Sequence, residues 1–555
     1  MRCSLPNPPP SNRLHKGEPG AGAANGAHVT AKSYRREWIG FTTMCLGLFM
    51  AILDIQIVAT ALPRIAQSLH TPLDDLSWVQ TAYLSAEVIA IAMSGRLTRA
   101  LSTRWLFALA TFTFSVMSLG CALSHDFVSL IVWRTLQGYA AGTVIPMVFA
   151  AGYKMFPTSL KQRAILIAGT VAMLAPTVGP FVGGYITEKL TWNWLFLLNI
   201  PIGLFATVVV IAFVQIDEAD RSAWWTIDVP AFVALSVSLA SFQALLKVAP
   251  PDHWVAVRDA LLLAVTLGGG FVFVRRCLGN HEPLVDLTPL RHAGFAVACV
   301  YNFVLGVGLF GSLYVLPLFL GFVRFHSPLE IGVIMTVMGV SQLLAAPFAT
   351  IADRRLPAQM VVFIGFALFG AGAIANAFET PRSDFSDLLW PQILRGAALL
   401  FCILPITNVA LDSLPAEALS NASGVLNFMR NIGGAVGIGL VDTIINVRPP
   451  AIGKHLVDLM VAGDAKTAAF VGLPVDMLRG VDVSRADPSD VKFVTPIIER
   501  AAATVAFNEA WVLIGSMLLV SLLLVPLLRR SSAGAGDAPG PALERLAYDV
   551  SPAAP

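Results

Sequence analysis

The stretch Leu53-Asp-Ile-Gln-Ile-Val-Ala-Thr-Ala-Leu-Pro63 closes an apolar segment that begins at Trp38 and is long enough to cross a lipid bilayer. Asp54 is the one charged residue between Trp38 and Pro63. An ionisable side chain within a membrane span is costly, usually faces other helices, and marks a functional site by default. The stretch therefore predicts a membrane protein in which Asp54 is a candidate functional residue.

The composition supports a membrane protein and argues against several other classes. Only 13% of the residues are charged, about half the usual share of a soluble protein. The net charge of +2 argues against a nucleic-acid-binding surface. The six cysteines form no CxxC pair, so we expect neither a disulfide framework nor a metal site. We also expect no cleaved signal peptide, and disordered cytoplasmic tails at residues 1–37 and 531–555.

Fourteen segments are long and apolar enough to be membrane-spanning helices. They cover residues 38–62, 77–100, 104–124, 128–153, 162–187, 193–216, 227–249, 256–275, 293–319, 328–352, 358–378, 388–413, 419–443 and 504–528. An even number of spans places both termini on one side. Eighteen Lys and Arg residues flank the spans on that side and six on the other, which predicts cytoplasmic termini. The connection 444–503 then faces outward, as a tolerated insertion or as a docking surface.

The two halves of the chain share faint similarities, such as glycine-rich stretches in the fifth and thirteenth predicted spans. Repeated halves around a central site are a common design of secondary transporters. We therefore expect an all-α polytopic membrane protein. It has a six-helix bundle over 38–216, two extra spans within 217–290 and a second six-helix bundle over 291–530.

Besides Asp54, five ionisable residues lie deep within predicted spans, namely Glu87, Arg134, Arg395, Arg430 and Glu509. At 1.5 Å per residue, Asp54 and Arg134 lie roughly 12 and 9 Å below the same membrane face, so they can form a pair. Burial disfavours a charged carboxyl group and a nearby cation favours it, a balance that suits proton uptake and release. The alternative is a set of static ion pairs that hold helices together. The predicted proton-coupling residues are Asp54, Arg134, Glu87 and Glu509.

The fifth predicted span contains Ala175-Pro-Thr-Val-Gly-Pro-Phe-Val-Gly-Gly184, in which prolines alternate with glycines. Proline removes a backbone hydrogen bond and kinks a helix, and glycine lets another helix approach closely. We expect a moving, tightly packed element formed by Pro176, Gly179, Pro180, Gly183 and Gly184. Ordinary small-residue packing is the alternative.

Several motifs resemble those of the major facilitator superfamily. Residues 179–184 (GPFVGG) resemble its antiporter motif, and Arg134-Thr-Leu-Gln137-Gly138 resembles the R-x-x-Q-G motif of its fourth helix. The opening stretch LDIQIVATALP resembles the first-helix signature LDxTIVNVALP of the fourteen-span drug:proton antiporters. Residues 77–84 and 192–203 match further signatures. The resemblance is closest to the EmrB branch of the EmrB/QacA family.

This resemblance implies the fold of two six-helix bundles plus two linker helices, and export of amphipathic drugs by alternating access. The proton gradient would drive export without a cofactor. Asp54 would be the protonation site and Arg134 its charge partner, with Gln137 and Gly138 in support. The resemblance also implies a bacterial inner membrane, a periplasmic membrane-fusion adaptor and an outer-membrane channel.

One cytoplasmic loop departs from the superfamily pattern G-x-L-a-D-r-x-G-r-k after the second helix. Here the loop reads Gly95-Arg-Leu-Thr-Arg99-Ala-Leu-Ser102-Thr-Arg104. Arg99 replaces the aspartate and Ser102 replaces a glycine. Because Asp353 and Arg354 keep an acidic–basic pair in the second half, we expect gate charges there and other contacts in the first half.

We expect the substrate to contact polar and aromatic residues on helices that border a central cavity. The candidates are Tyr83, Glu87, Asn302, Phe303, Gln342, Arg395, Asn427 and Arg430. The arginines leave open an anionic substrate, and hence an exporter of one endogenous metabolite or siderophore. A membrane-embedded enzyme or receptor is a third alternative. It is disfavoured because the sequence has no H-E-x-x-H, G-x-S-x-G or G-x-x-x-x-G-K-[ST] motif.

Overall fold

The computed structural model describes residues 34–249, 256–280, 283–412, 414, 419–478 and 488–528. Every regular element in these ranges is a helix, as the sequence predicted. Thirteen helical segments are long and apolar enough to cross a membrane. The remaining predicted span is the 29-residue helix α4 (Phe127–Met155), which is outside that set, so the number fourteen stays a prediction. The predicted tails lie almost entirely outside the described residues.

The first half of the chain forms a bundle centred on α1. Its helices are α1 (Arg35–Leu69), α2 (Ser77–Leu101), α3 (Thr103–Ala122), α4, α5 (Thr158–Lys189), α6 (Asn193–Leu197) and α7 (Asn199–Phe213). α1 packs mainly on α5 and α7, α2 packs on α4, and α3 packs on α4 and α7. Most of α1 is buried because neighbouring helices surround it. A charged side chain on α1 is therefore held away from both lipid and water.

Two extra helices connect the bundles, α8 (Val229–Val248) and α9 (Val257–Gly279). They pack on each other, and α8 also contacts α2 and α14. α9 buries very little of its apolar surface, which is expected for a helix at the lipid-facing edge of a membrane protein.

The second half repeats the packing of the first. Its long helices are α10 (Ala293–Leu318), α11 (Pro328–Arg355), α12 (Ala358–Asn376), α13 (Phe385–Asp412), α14 (Leu419–Val447) and α17 (Pro488–Val520). α10 packs on α14 as α1 packs on α5, and α11 packs on α13 as α2 packs on α4. This equivalence gives a structural basis to the faint similarity of the two halves.

The predicted connection 444–503 is largely helical. After α14 come α15 (Pro449–Val461) and α16 (Ala465–Val471), and the first part of α17 packs against both. Ile452, Leu456 and Met460 recur at helical spacing and join Val471 and Ile498 in a separate apolar cluster. The connection is therefore a small folded unit and not an irregular loop. That it faces outward stays a prediction.

The bundles meet along two seams, α5 with α11 and α2 with α14. We call the end that carries Leu69 and Ser77 the outer end, following the charge distribution. In the α5–α11 seam, a Cβ atom at Gly184 would overlap the carbonyl oxygen of Pro328, and one at Gly332 would overlap that of Pro180. About three turns from Pro180 toward the inner end, Gly169 has open space where a Cβ would stand.

The α2–α14 seam likewise changes from close contact at the outer end to open space at the inner end. At the outer end, the Ser77 hydroxyl donates to Asp442 at 2.9 Å. About five helical turns away on the same faces, Gly95 of α2 and Gly424 of α14 have nothing within 4 Å of a Cβ position. The bundles are therefore closed at the outer end and separated at the inner end.

Candidate proton and substrate sites

Asp54 lies at the centre of a buried polar cluster in the first bundle. Its side chain is inaccessible to solvent, and one carboxylate oxygen forms an ion pair with Arg134 of α4. The other oxygen accepts hydrogen bonds from Gln137 at 3.1 Å and from Asn199 at 2.7 Å. Two helices, α4 and α7, thus direct three donors at one carboxylate, as the charged form requires in a low-dielectric interior.

The arginine is fixed in turn by its own neighbours. Its Nε donates to the Val79 carbonyl at 3.2 Å, and Nη1 also donates to Gln137 Oε1 at 2.8 Å. The guanidinium stacks over the Tyr83 ring at 4.2 Å. Because the cation is held by neutral groups as well, it can keep its place when Asp54 loses its charge.

The sequence reasoning did not assign Asn199 and Ser118 to this cluster. Asn199 begins α7 within the matched stretch 192–203, and the Ser118 hydroxyl of α3 accepts a 2.7 Å hydrogen bond from Gln137. For Asn199 a signal was present, a polar residue inside an apolar run. Ser118 offered none, because serine is common on packed membrane helices.

Glu87 lies in the α2–α14 seam, apart from the Asp54 cluster. It is 2% exposed, and the Asn431 side chain of α14 hydrogen-bonds to its carboxyl group. This contact lies between the Ser77–Asp442 bond and the open inner segment. Glu87 therefore marks the place where the closed part of the seam ends.

A second group of polar side chains closes the outer end. Asp442 of α14 accepts hydrogen bonds from Ser77 of α2, from Tyr314 of α10 at 2.7 Å and from Asn446 at 2.9 Å. Lys247 of α8 lies 3.3 Å from the same carboxylate and 3.8 Å from Asp75. We call these residues the outer latch. Since its members come from both bundles and from an extra helix, it joins all three parts of the chain.

The predicted substrate-contacting residues separate into four places, one of which is the position of Glu87 in the α2–α14 seam. Arg430 donates to the Asn302 side chain at 3.2 and 3.3 Å, and it is half-buried on α14 beside the open inner space. Asn427 and Phe303 are likewise half-buried, and Gln342 is buried on α11. Tyr83 belongs to the Asp54 cluster, as described above.

Arg395 lies away from the inner space, inside the second bundle. It is 1% exposed, donates to Gln392 at 2.6 Å and stacks on Trp511 at 4.4 Å. Glu509, predicted to couple protons, forms a two-bond ion pair with Arg448 at 2.8 and 2.9 Å at the start of α15. The structure thus brings neither residue to Asp54.

The antiporter motif of α5 uses opposite faces. Gly179 and Gly183 allow α5 to approach Gln56 and Ile57 of α1, whereas Gly184 meets α11 of the other bundle. In α4, Gly138 similarly allows close contact with the Tyr83 backbone. Pro176 and Pro180 lie within the unbroken helix α5. Pro176 comes before Gly179, and Pro180 lies between Gly179 and Gly183.

The loop after α2, which departs from the superfamily pattern, is held by an acid from another segment. Asp217, after α7, accepts 2.7 Å hydrogen bonds from the backbone N–H and hydroxyl of Thr103 and lies 3.5 Å from Lys154. Ser102, in the usual glycine position, has φ 71° and ψ 155°, a region that glycine tolerates and other residues rarely adopt. Ser102 therefore holds a backbone conformation that suits glycine, although the glycine is gone.

In the second half, Asp353 accepts a 2.6 Å hydrogen bond from Asn408 of α13, and Arg354 is exposed at the inner end of α11. This places the predicted acidic–basic pair at the inner mouth of the second bundle. The bond to Asn408 holds α11 to α13 within that bundle.

Comparisons with known proteins agree with this architecture. Residues 44–438 match the family model described as Major Facilitator Superfamily. The chain is 36% identical over 415 residues to the colistin resistance protein EmrB of Acinetobacter baumannii, covering 74% of this chain and 81% of the relative. It is 27% identical over 403 residues to the multidrug export protein EmrB of Escherichia coli K12, covering 72% and 78%.

A solved structure shows the same fold at low sequence identity. It is a bacterial homologue of the human lysosomal transporter Spinster in an inward-facing, unoccupied conformation. It has a TM-score of 0.58 and 13% identity, covering 91% of this chain and all of the other. The buried ion pair, the paired bundles and these matches lead to one assignment. The chain belongs to the major facilitator superfamily, in its EmrB-type branch.

Proposed function

We propose that the protein is a proton-coupled multidrug efflux transporter that exports amphipathic small molecules by alternating access. The observation that carries the proposal is the fully buried Asp54 carboxylate, which forms an ion pair with Arg134 inside the first bundle. At the inner end, this bundle is separated from the second bundle. The multidrug export proteins among the relatives support the substrate class. The proton gradient drives export, and no cofactor takes part.

The position of Asp54 on α1 supports coupling between proton binding and bundle movement. Gln56 and Ile57, two and three residues after Asp54, form the surface on which Gly179 and Gly183 of α5 pack. The opposite face of the same α5 segment contacts α11 across the α5–α11 seam. A shift of α1 at Asp54 therefore reaches the seam through one layer of closely packed backbone.

The charge on Asp54 gives this shift a cause. In the inner-open state Asp54 is ionised and bound to Arg134, so it has released its proton. A proton from the outer side neutralises Asp54 and removes its attraction to Arg134, while Gln137 and Asn199 remain as hydrogen-bond partners. Because the two protonation states hold α1 and α4 with different strength, the proton favours one arrangement of the bundles and the substrate favours the other.

The test is substrate-triggered proton movement in vesicles. The purified protein is reconstituted with a pH dye in the lumen, a pH gradient is imposed, and amphipathic cations and weak acids are added. We expect proton movement for wild type, loss of it for Asp54→Asn, and wild-type behaviour for Glu218→Gln, which removes an exposed carboxylate on the cytoplasmic side. Proton movement of equal size in Asp54→Asn would place coupling elsewhere.

A dedicated exporter of one anionic metabolite is the second candidate, and Arg430 is the observation that favours it. Its guanidinium is half-buried beside the inner space and is held by a neutral partner, Asn302, so its charge is free to attract an anion. In the same vesicle assay this function gives no response to amphipathic cations. Arg430→Gln then abolishes the response to a single weak acid.

We further propose a multi-pass location in the bacterial inner membrane with cytoplasmic termini. A periplasmic adaptor that leads to an outer-membrane channel would bind the small unit formed by α15, α16 and the start of α17. Its apolar cluster is separate from the bundle core, so the unit can present a rigid outer surface. Charge reversal at the exposed Lys454, with adaptor co-purification as the readout, tests this contact; unchanged recovery would remove α15 from the interface.

A further inference from the structure

The loop between α12 and α13, residues 377–384, carries a buried acid that the mechanism above does not use. Glu379 is 4% exposed although it lies between two membrane spans. Its backbone is fixed on both sides: its N–H donates to the Asn376 carbonyl at 3.3 Å, and its carbonyl accepts a 2.8 Å bond from Asn508 of α17. The loop therefore holds this side chain inward at the outer end of the second bundle.

The polar groups around Glu379 share an unusual property. Among the described residues, neither of its carboxylate oxygens has a hydrogen-bond partner within normal distance and angle. The same holds for the side-chain amide of Asn376, for Nε and Nη1 of Arg395, for Nε1 of Trp511 and for Oδ1 of Asn508. Buried polar atoms are nearly always paired with protein or ordered water. So many in one place indicate a small hydrated pocket.

The cation in this pocket is positioned in the way that Arg134 is positioned in the first bundle. Arg134 and Gln137 precede Gly138 by four and one residues, and Gln392 and Arg395 precede Gly396 by the same distances. In each bundle the arginine donates to the glutamine, at 2.8 and 2.6 Å. The glycines also correspond, since each lies against the backbone of the paired helix, α2 or α11. The second bundle thus repeats the arginine–glutamine pair with the two residues exchanged.

The acid differs between the two bundles. Asp54 contacts its arginine directly, whereas Arg395 acts on Glu379 only through space and stacks on Trp511, which lies beside the carboxyl group. Burial raises the pKa of Glu379 to about 8, and Arg395 opposes this rise without cancelling it. A carboxyl group with this pKa is protonated at neutral pH and releases its proton within one or two pH units.

Other charged groups on the surrounding elements do not replace Arg395. Arg324 and Arg500 both donate to the Pro381 carbonyl, at 3.0 and 2.7 Å, and Arg324 also pairs with Asp384. Other titratable or charged groups on the elements at this end include His326, Arg382, Asp387, Arg448, Glu509 and the latch residue Asp442. Of these, His326 pairs with Asp384 and Glu330, and Arg448 pairs with Glu509.

We propose that Glu379 is a second proton-binding carboxyl group of the transporter, held with Arg395 in a hydrated pocket at the outer end of the second bundle. It exchanges protons with the outer aqueous phase independently of Asp54. The proposal rests on the proposed proton-coupled function for its role, although the proton site itself can be measured without transport.

The test is an infrared pH titration of the purified full-length protein between pH 6 and 10. We expect wild type to lose one protonated carboxyl band with a midpoint near 8, and Glu379→Gln to lack that band. Glu218→Gln should keep it. Tryptophan fluorescence gives an independent readout: a transition with the same midpoint in wild type, absent in Trp511→Phe and in Glu379→Gln. An unchanged band in Glu379→Gln would overturn the proposal, and so would a fluorescence transition that persists in this variant.

Asp54→Asn separates this proposal from the proposed function. If Asp54→Asn abolishes substrate-triggered proton movement and Glu379→Gln leaves the titration unchanged, the function stands and the second site is wrong. If Glu379→Gln removes the band while Asp54→Asn still moves protons fully, the second site stands and Asp54 is not the coupling group.

Discussion

Replacing Ser77 by alanine should shift the protein away from the outer-closed state. The Ser77 hydroxyl is the contribution of α2 to the outer latch, and its 2.9 Å bond to Asp442 crosses from one bundle to the other. Opening the outer end must break this bond. Alanine removes it without changing the rest of the latch, because Tyr314, Asn446 and Lys247 still satisfy the Asp442 carboxylate.

The size of the shift follows from the chemistry of that bond. A hydrogen bond to a charged group contributes roughly 1.5–3 kcal/mol. Since Asp442 keeps its other partners, the lower value applies, about 1.5 kcal/mol. Each 1.4 kcal/mol is a factor of ten in an equilibrium constant, so the outer-open population should rise about tenfold. A state present at about 1% would then reach about 10%, which a distance distribution can detect.

The assay is the distance between spin labels on the two bundles. Cysteines are placed at Ser68, at the outer end of α1, and at Ser386, at the outer start of α13, both of which are exposed. The five described native cysteines are buried and will label poorly. Ser94→Ala is the matched control, because among the described residues this buried α2 hydroxyl donates only within its own helix, to the Ile91 carbonyl. A Ser77→Ala distribution indistinguishable from that of Ser94→Ala would refute the latch.

Three further predictions concern stability. Ser102→Gly should stabilise the protein by about 1 kcal/mol, because glycine adopts the Ser102 backbone conformation without strain. This gain outweighs the extra conformational freedom that glycine gives the unfolded chain. Thermal unfolding measures the gain, and a lower melting temperature would contradict it. Asp217→Ala should cost about 1 kcal/mol by leaving the first N–H of α3 uncapped, whereas Glu218→Ala should be neutral in the same measurement. Burial raises the pKa of Glu379 to about 8, above that of the unfolded chain, so its neutral form supports folding at low pH and this support is lost as pH rises to 8. The difference in melting temperature, wild type minus Glu379→Gln, should therefore decrease from about pH 5 to pH 8 and stay constant above pH 8. A difference that does not change with pH would contradict the buried environment of Glu379.

The sequence predicted features that depend on one helix at a time. Long apolar stretches identified the membrane helices, and counting residues from the span ends placed Asp54 and Arg134 at matching depth. The antiporter motif predicted close packing, because glycine and proline affect the conformation and packing of the helix that contains them. The amphipathic spacing of Ile452, Leu456 and Met460 was also readable, but we expected helical structure only at the end of the connection.

Features that join distant parts of the chain were not predictable from the sequence. Asp442 and Lys247 lie near span ends, where charged residues are usually solvated, so neither stood out. Asp217 binds the start of α3 from a different segment, and no local pattern relates the two positions. Glu379 lies in a short connection, and such connections are normally exposed. Each of these roles exists only once the helices are assembled.

The two seams that close the outer end differ in chemistry, and the difference assigns them different parts in the transport cycle. The α5–α11 seam is backbone against backbone, so opening it loses dispersion contacts that water cannot replace. The α2–α14 seam is held by Asp442, Ser77 and the Glu87–Asn431 contact, groups that water can solvate once the outer end opens. Because water solvates the separated groups, each polar bond costs only its net contribution, about 1.5 kcal/mol for the Ser77–Asp442 bond, so the α2–α14 seam should open first. The α5–α11 seam then sets the barrier, and it is the one that α1 and Asp54 reach through the antiporter motif.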